Sequence, residues 1–188
     1  MSKDIELLKY QWLNLNSPGY GKNSHGNFLI PILRYINFNT LLDVGTGRGE
    51  FCKKISKLEK TVYGLDWALD PENDSLDSNV KFIKADASNI PLDSKSIDIT
   101  TAFDFFEHIL PEEIDTIIRE IVRVTKNMII CTVCTRPSTY KKAILKEKFG
   151  DGELHQSIFE KKQWYTIFEK YSKKVYTIKP KETFLLIL

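Results

Sequence analysis

Four stretches of this chain place glycine, carboxylate or imidazole directly after an apolar run. The first is Asp43-Val-Gly45-Thr46-Gly47-Arg-Gly49. Glycine reaches positive φ and has no Cβ, so such a turn lets a ligand lie almost on the backbone. The free N–H groups at a following helix start attract electron-rich ligand atoms. The spacing is GxGxG rather than the GxGxxG of dinucleotide binders, and a glycine-rich turn between strand and helix also occurs with no ligand. The second is Asp66, where a carboxylate can accept hydrogen bonds from both ribose hydroxyls of a nucleoside or simply cap a turn. The third is Asp86-Ala87, where a carboxylate can accept from an exocyclic adenine amine while the next N–H reads a ring nitrogen. The fourth is Asp104-Phe-Phe-Glu107-His108. It pairs a carboxylate with an imidazole whose unperturbed pKa lies near neutrality.

These groups need elements to position them. Apolar residues at Ile5, Leu8, Trp12 and Leu15 predict a helix over 4–15. A breaker-rich loop follows over 16–26, then a helix over 27–35 with Pro31 near its start. Strands are predicted over 40–44, 61–65, 80–84, 97–103 and 127–133. Helices are predicted over 49–58, from Pro111 onward, over 140–148 and over 160–171. Residues 67–79 carry little apolar periodicity, so any helix there is short. In the Pro111 helix, proline and two acids suit the first turn, and Ile114, Ile117, Ile118, Ile121 and Val122 form the inward stripe. Strands 174–178 and 182–188, joined across Lys179-Pro-Lys181, form an antiparallel pair. Strand–helix alternation closed by a hairpin predicts an α/β, Rossmann-like fold: a seven-stranded, mainly parallel sheet with an antiparallel last strand and helices on both faces. Ligands bind such sheets outside the carboxyl ends of the strands, where all four stretches fall.

The chain has 188 residues, 42% of them hydrophobic and 28% charged, as expected for one globular domain. Residues 1–37 would form a helical lid and 38–188 the core. Net charge is +2, so no strong polyanion partner is implied. Residues 136–188 hold 12 Lys and Arg against 6 Asp and Glu, which either favours an acidic ligand or forms a solvated surface. Cys131 and Cys134 have CxxC spacing inside an apolar run, but no second pair and no nearby histidine completes a zinc set. Together with Cys52 they read as reduced, packed thiols, and no metal is expected. The start of the chain has no apolar h-region and no run approaches the roughly 20 residues of a membrane span. The expectation is a cytoplasmic protein with no membrane or nucleic acid partner.

Leu41-Leu-Asp-Val-Gly-Thr-Gly-Arg-Gly-Glu50, Tyr63-Gly-Leu-Asp66, the run from Phe82 to Asp98 and Ala102-Phe-Asp-Phe-Phe-Glu-His-Ile109 closely resemble the successive motifs of class I S-adenosylmethionine (SAM)-dependent methyltransferases. The resemblance covers about residues 38–134. It implies that Gly45, Thr46, Gly47 and Gly49 line the methionine and ribose part of SAM and that Asp43 helps hold its amino group. It also implies that Asp66 binds the ribose, that Asp86 binds the adenine amine beside Ala87, and that Asp104 begins the segment facing the methyl group. The segment after Asp66 is too short for the family's full helix, so Trp67 and Leu69 would build the adenine wall. The glycine-rich turn usual before the fifth strand is reduced to Lys126-Asn127.

Methyl transfer needs mainly an in-line approach to the sulfonium, and a base only where the acceptor must lose a proton. His108 is the first candidate, then Glu107 and Asp104. The alternative for Glu107-His108 is packing against the Pro111 helix. His25, His155 and Arg136 fall where the family builds its acceptor side, and loop roles are open for both histidines. Tyr10, Trp12 and Tyr20 could close over the cofactor, since aromatic faces favour a sulfonium. The motifs of base-methylating enzymes are absent. The expected reaction is transfer to a small molecule, sugar-bearing or acidic, with oxygen favoured and S-adenosylhomocysteine (SAH) as product. The competing class is a noncatalytic SAM-binding protein or partner subunit.

Overall fold

The computed structural model describes residues 3–20, 25–68, 80–178 and 182–188. Leu69, most of the 67–79 segment, Gly21–Ser24 and the 179–181 turn lie outside them. Seven strands form one sheet: β1 (Thr40–Val44), β2 (Thr61–Asp66), β3 (Val80–Lys84), β4 (Ile97–Phe103), β5 (Thr125–Val133), β6 (Lys174–Ile178) and β7 (Glu182–Ile187). Their order is β3-β2-β1-β4-β5-β7-β6. Pairs among β1 to β5 are parallel, and β7 runs antiparallel to both β5 and β6. This is the expected Rossmann-like sheet with its last strand reversed.

Alternation along the central strands splits the core into two layers. In β1, Leu41 packs with Phe51, Cys52 and Ile55 of α3 (Glu50–Ser56) and with Val62 and Ile99. Its neighbour Leu42 faces the other way, toward α4 (Ile114–Val124) and Trp164 and Phe168 of α6 (Lys161–Glu169). In α4 the buried stripe is Ile114, Ile117, Ile118, Ile121 and Val124. Val124 takes the place expected of Val122, which is only partly buried.

The helix predicted from Pro111 starts three residues later. A tight turn, closed by the Glu113 N–H donating to Leu110 O at 2.9 Å, precedes it, and Glu113 O then accepts from Ile117. The helix predicted over 27–35 is split into a 3₁₀ turn, His25–Leu29, and a single α-turn, α2 (Ile30–Leu33), with Pro31 in its first two positions. Proline has no N–H to donate and clashes with the preceding turn, so the α-helix starts at Ile30 with Pro31 in its first turn rather than running through it. Helix α5 (Lys142–Phe149) completes the set.

The first helix, α1 (Lys3–Asn16), has an inward face unlike the predicted one. Leu8 and Leu15 are exposed, while Glu6, Lys9, Tyr10 and Leu13 are buried. The Lys9 ammonium, fully buried, donates to Glu6 Oε1 (2.8 Å), Asp151 Oδ2 (2.8 Å) and Glu153 O (3.0 Å). Burial raises the Glu6 pKa, and the Lys9 charge works against that rise. An amphipathic pattern read from apolar spacing misses this face because its packing depends on a paired buried charge.

Removing one member of a buried ion set leaves the others uncompensated, at a cost of about 3 kcal/mol or more. Lys9→Met should therefore lower stability in urea denaturation by roughly that amount and deprotect the α1 amides first in hydrogen exchange. Wild-type stability with α1 still protected would contradict the account of this anchor.

Candidate active site at the carboxyl ends of the strands

The carboxyl ends of β1 to β5 border a cavity of about 550 Å³ roofed by α1. Small-molecule sites usually span roughly 300–1,000 Å³. The chain leaves β1 toward β2 on one side and pairs it with β4 on the other, so a crevice opens at the end of β1.

The glycine turn starts with the Gly45 and Thr46 N–H groups donating to Leu65 O, at 2.8 and 3.1 Å. Gly45, Thr46 and Gly47 line the cavity. Gly49, expected beside them, does not. It is the N-cap of α3 at φ +70°, and a Cβ there would lie 2.3 Å from Phe82 Cζ. Its glycine serves the packing of the β3 side chain. Arg48, between the two glycines, reaches up to the roof: Nη2 donates to Asn14 O (2.7 Å) and Nε to Tyr20 O (3.0 Å).

Asp66 accepts the Gly47 N–H on Oδ2 and the Ala68 N–H on Oδ1, both at 2.9 Å. It thus joins the glycine turn to the chain beyond β2, and burial pushes its pKa up. Asp43 is buried, and Thr101 donates to its Oδ1 at 2.7 Å. Burial outweighs that bond and pushes its pKa up to about 6. Asp86 accepts from Lys3 at 2.7 Å and from the Ser88 N–H at 2.8 Å. Burial alone would raise its pKa; the Lys3 and Ser88 bonds outweigh burial and hold it below the usual carboxylate range. Trp67 and Ala87 line the same part of the cavity, with Tyr10 and Trp67 ring centroids 6.1 Å apart.

At the far end, Asp104 sits at φ +47°, its N–H donating to Thr132 O and Oγ1, and its Oδ1 accepting from the Thr132 hydroxyl at 2.7 Å. That carboxylate ties the end of β4 to β5, and Asp104 also lines the cavity. Glu107 is fully buried and its Oε1 accepts the Cys134 N–H at 2.9 Å. His108 is partly buried. Its Nδ1 lies 3.0 Å from Leu154 O and 2.9 Å from the Tyr10 hydroxyl. A carbonyl only accepts, so Nδ1 carries the proton and Nε2 holds the lone pair. Burial, and then the charge of His155, lower the His108 pKa to about 4. This removes the near-neutral pKa that made it the first candidate for a base, and leaves a neutral imidazole at pH 7. The His155 ring is T-shaped to His108, with centroids 4.8 Å apart.

Arg136 stands exposed at the rim. His25 opens the 3₁₀ turn, and its side chain is outside the description. Tyr10 and Tyr20 line the roof as expected. Trp12 does not: it packs outward on Phe149, with Lys141 and Lys148 each 5.4 Å from its ring centroid. The sequence reading missed Lys3, Glu6 and Tyr140, which nothing local marks. It also missed Thr101, whose place in the polar pair of an otherwise buried strand was a readable sign. The lining holds nine carboxylates against one lysine and one arginine, so the C-terminal lysine surplus gives this cavity no preference for an acidic ligand.

Gly49→Ala should lower thermal stability, by about 1–3 kcal/mol, with or without a cofactor present. Unchanged stability together with lost cofactor affinity would return Gly49 to the ligand.

The Methyltransferase domain family matches residues 42–131 of the chain. Among solved structures, the PH0226 protein of Pyrococcus horikoshii OT3 is 20% identical, with 92% of this chain and 95% of that one covered and a TM-score of 0.66. A SAM-dependent methyltransferase from Aquifex aeolicus is 18% identical, with 100% and 98% covered and a TM-score of 0.60. The [4+2]-cyclase SpnF is 22% identical, with 67% and 58% covered and a TM-score of 0.53; the fold alone therefore does not fix the reaction. No protein of curated function matches. The domain match, running from β1 into β5 over just under half of the chain, and the reversed-strand sheet give this chain the fold of the class I S-adenosylmethionine-dependent methyltransferases.

Proposed function

We propose that this methyltransferase moves the methyl group of SAM to a hydroxyl of a small molecule. The observation that carries this reading is the two-ended cavity. Asp43, Asp66 and Asp86 line one end, and Glu107, His108 and His155 the other, under one roof.

Each end has its own chemistry. Asp66, fixed by two backbone N–H groups, keeps acceptor capacity for the ribose hydroxyls. Asp86 faces the adenine amine, sharing its charge with Lys3. Asp43 faces the cationic amino group, and Gly45, Thr46 and Gly47 let the methionine part lie on the backbone. The excess of carboxylates suits a cofactor with two positive centres. Tyr10 and Tyr20 present aromatic faces above the sulfonium. The methyl group then points to the His108 end, where an acceptor oxygen attacks it in line. The O–CH₃ bond forms as the C–S bond breaks, the C–S electron pair stays on sulfur to give the neutral thioether of SAH, and the hydroxyl proton passes to the His108 ring. The acceptor hydroxyl is held near His108 and Glu107, with Arg136 and His155 on its outer side; the proposed acceptor role of His25 concerns a side chain outside the description. An enclosed, acid-lined cavity favours a small, uncharged hydroxyl compound over an acidic one or a nucleic acid.

Release of SAH with a panel of hydroxyl-bearing metabolites tests the reading; SAM binding with no release from any acceptor would support the noncatalytic alternative. Asp66→Ala should weaken SAH binding at least tenfold by calorimetry, since the ribose loses a charged acceptor worth about 1.5–3 kcal/mol. Affinity should also depend on pH through Asp43. Its folded pKa is raised to about 6, so the carboxylate that pairs with the amino group is present above that pH and lost below it. SAH affinity should fall toward tenfold per unit below pH about 6, and Asp43→Asn should bind more weakly without that step. A flat wild-type profile would remove the Asp43 contact.

A further inference from the structure

Glu107, His108 and His155 each bring one ligand atom within 4.8 Å of the other two, at the acceptor end of the cavity. Glu107 and His108 come from the 3₁₀ turn after β4, Phe106–His108, and His155 from the segment after α5. The two imidazoles are held alike. His108 Nδ1 meets Leu154 O at 3.0 Å and His155 Nδ1 meets Arg136 O at 2.5 Å. Because a carbonyl only accepts, each ring donates from Nδ1, which leaves Nε2 as the nitrogen that a neutral ring offers to a ligand. Metal-binding histidines are held in this way, the second ring N–H donating to a backbone carbonyl or carboxylate to fix tautomer and ring orientation. The turn is fixed as well: Glu107 Oε1 accepts the Cys134 N–H, and Glu107 O accepts from Ser157.

We infer that Glu107, His108 and His155 form a binding site for a divalent first-row transition metal, which holds and acidifies the acceptor hydroxyl. Two imidazoles and one carboxylate suit Mn²⁺, Fe²⁺, Co²⁺ or Zn²⁺ rather than the oxygen-seeking Mg²⁺ or Ca²⁺. Three protein ligands leave coordination positions open toward the cavity. The inference rests on the methyl-transfer reading and changes one part of it. His108 is a ligand, and the acceptor proton does not end on its ring. Glu107, His108 and His155 would hold the cation, which would acidify the acceptor hydroxyl; its proton would leave to water, the O–C bond would form at the methyl carbon, and the C–S pair would stay on sulfur. No metal is expected from sequence because the two histidines are far apart in the chain and CxxC draws the attention.

The test uses the whole chain, stripped with chelator and titrated with MnCl₂ alone. One equivalent should bind by calorimetry, and the bound Mn²⁺ should broaden the NMR signals of both His108 and His155 rings before any other. Glu107→Gln, His108→Ala and His155→Ala should each weaken binding about ten- to a hundredfold or more. The broadening in the unsubstituted protein decides the matter if a variant does not fold. No binding of Mn²⁺, Co²⁺ or Zn²⁺ at millimolar concentration would overturn the inference, as would broadening elsewhere. SAH calorimetry on the same metal-free protein separates the two proposals: SAH binding without metal binding sinks only the metal site, whereas loss of both sinks the methyl-transfer reading as well.

Discussion

β1 ends in the middle of the sheet, with β2 on one side and β4 on the other, and the site depends on that constraint. Parallel neighbours must be joined by right-handed crossovers. The chain therefore leaves the end of β1 in one direction to build β2 and β3, and returns to build β4 and β5 on the opposite side. No strand can cover the crevice between them. Asp43, Asp66, Asp86, Asp104 and Cys134, at or just beyond the ends of these strands, line the same opening. The short turn after β1 must cross it, which is why positive-φ glycines stand there.

The roof is the second condition. Helix α1 packs through Tyr10 and Leu13 and is also held by polar bonds. Lys3 meets Asp86 and Glu113, Asn14 donates to Ala68 O, Arg48 of the glycine turn holds Asn14 O and Tyr20 O, and Lys9 is buried against Asp151 and Glu153. Tyr10 adds bonds at His108 and Leu154 O. Lys3, Tyr10, Asn14 and Tyr20 thus both hold the roof and line the cavity. Excluding water in this way strengthens each electrostatic contact inside.

The sheet was legible because its signals are local and repeated: apolar strands, breaker-bounded loops and a five-residue aliphatic stripe in α4. The carboxylates at one end of the cavity were legible for the same reason, since Asp43, Asp66 and Asp86 each sit at or just beyond the end of a strand. What escaped reading depends on residues distant in sequence. The inward face of α1 is polar because Asp151 and Glu153 wait for Lys9, and no pattern within residues 3–16 announces that. Gly49 looked like a ligand contact because the turn repeats glycine, but the need comes from Phe82 on another strand. His108 looked like a base from its ordinary pKa, whereas burial, and then His155, lower that value against the opposing bond to Leu154 O. Trp12 follows the helical apolar spacing but packs outward on Phe149, between two lysines.

A crystal structure of the chain with SAH measures the central claim most directly. The account predicts the ribose hydroxyls against Asp66, the adenine beside Asp86 and Ala87, the amino group at Asp43, and the sulfur turned toward the Glu107–His108–His155 end. SAH bound with its sulfur directed away from that end, or outside the cavity beneath α1, would contradict it.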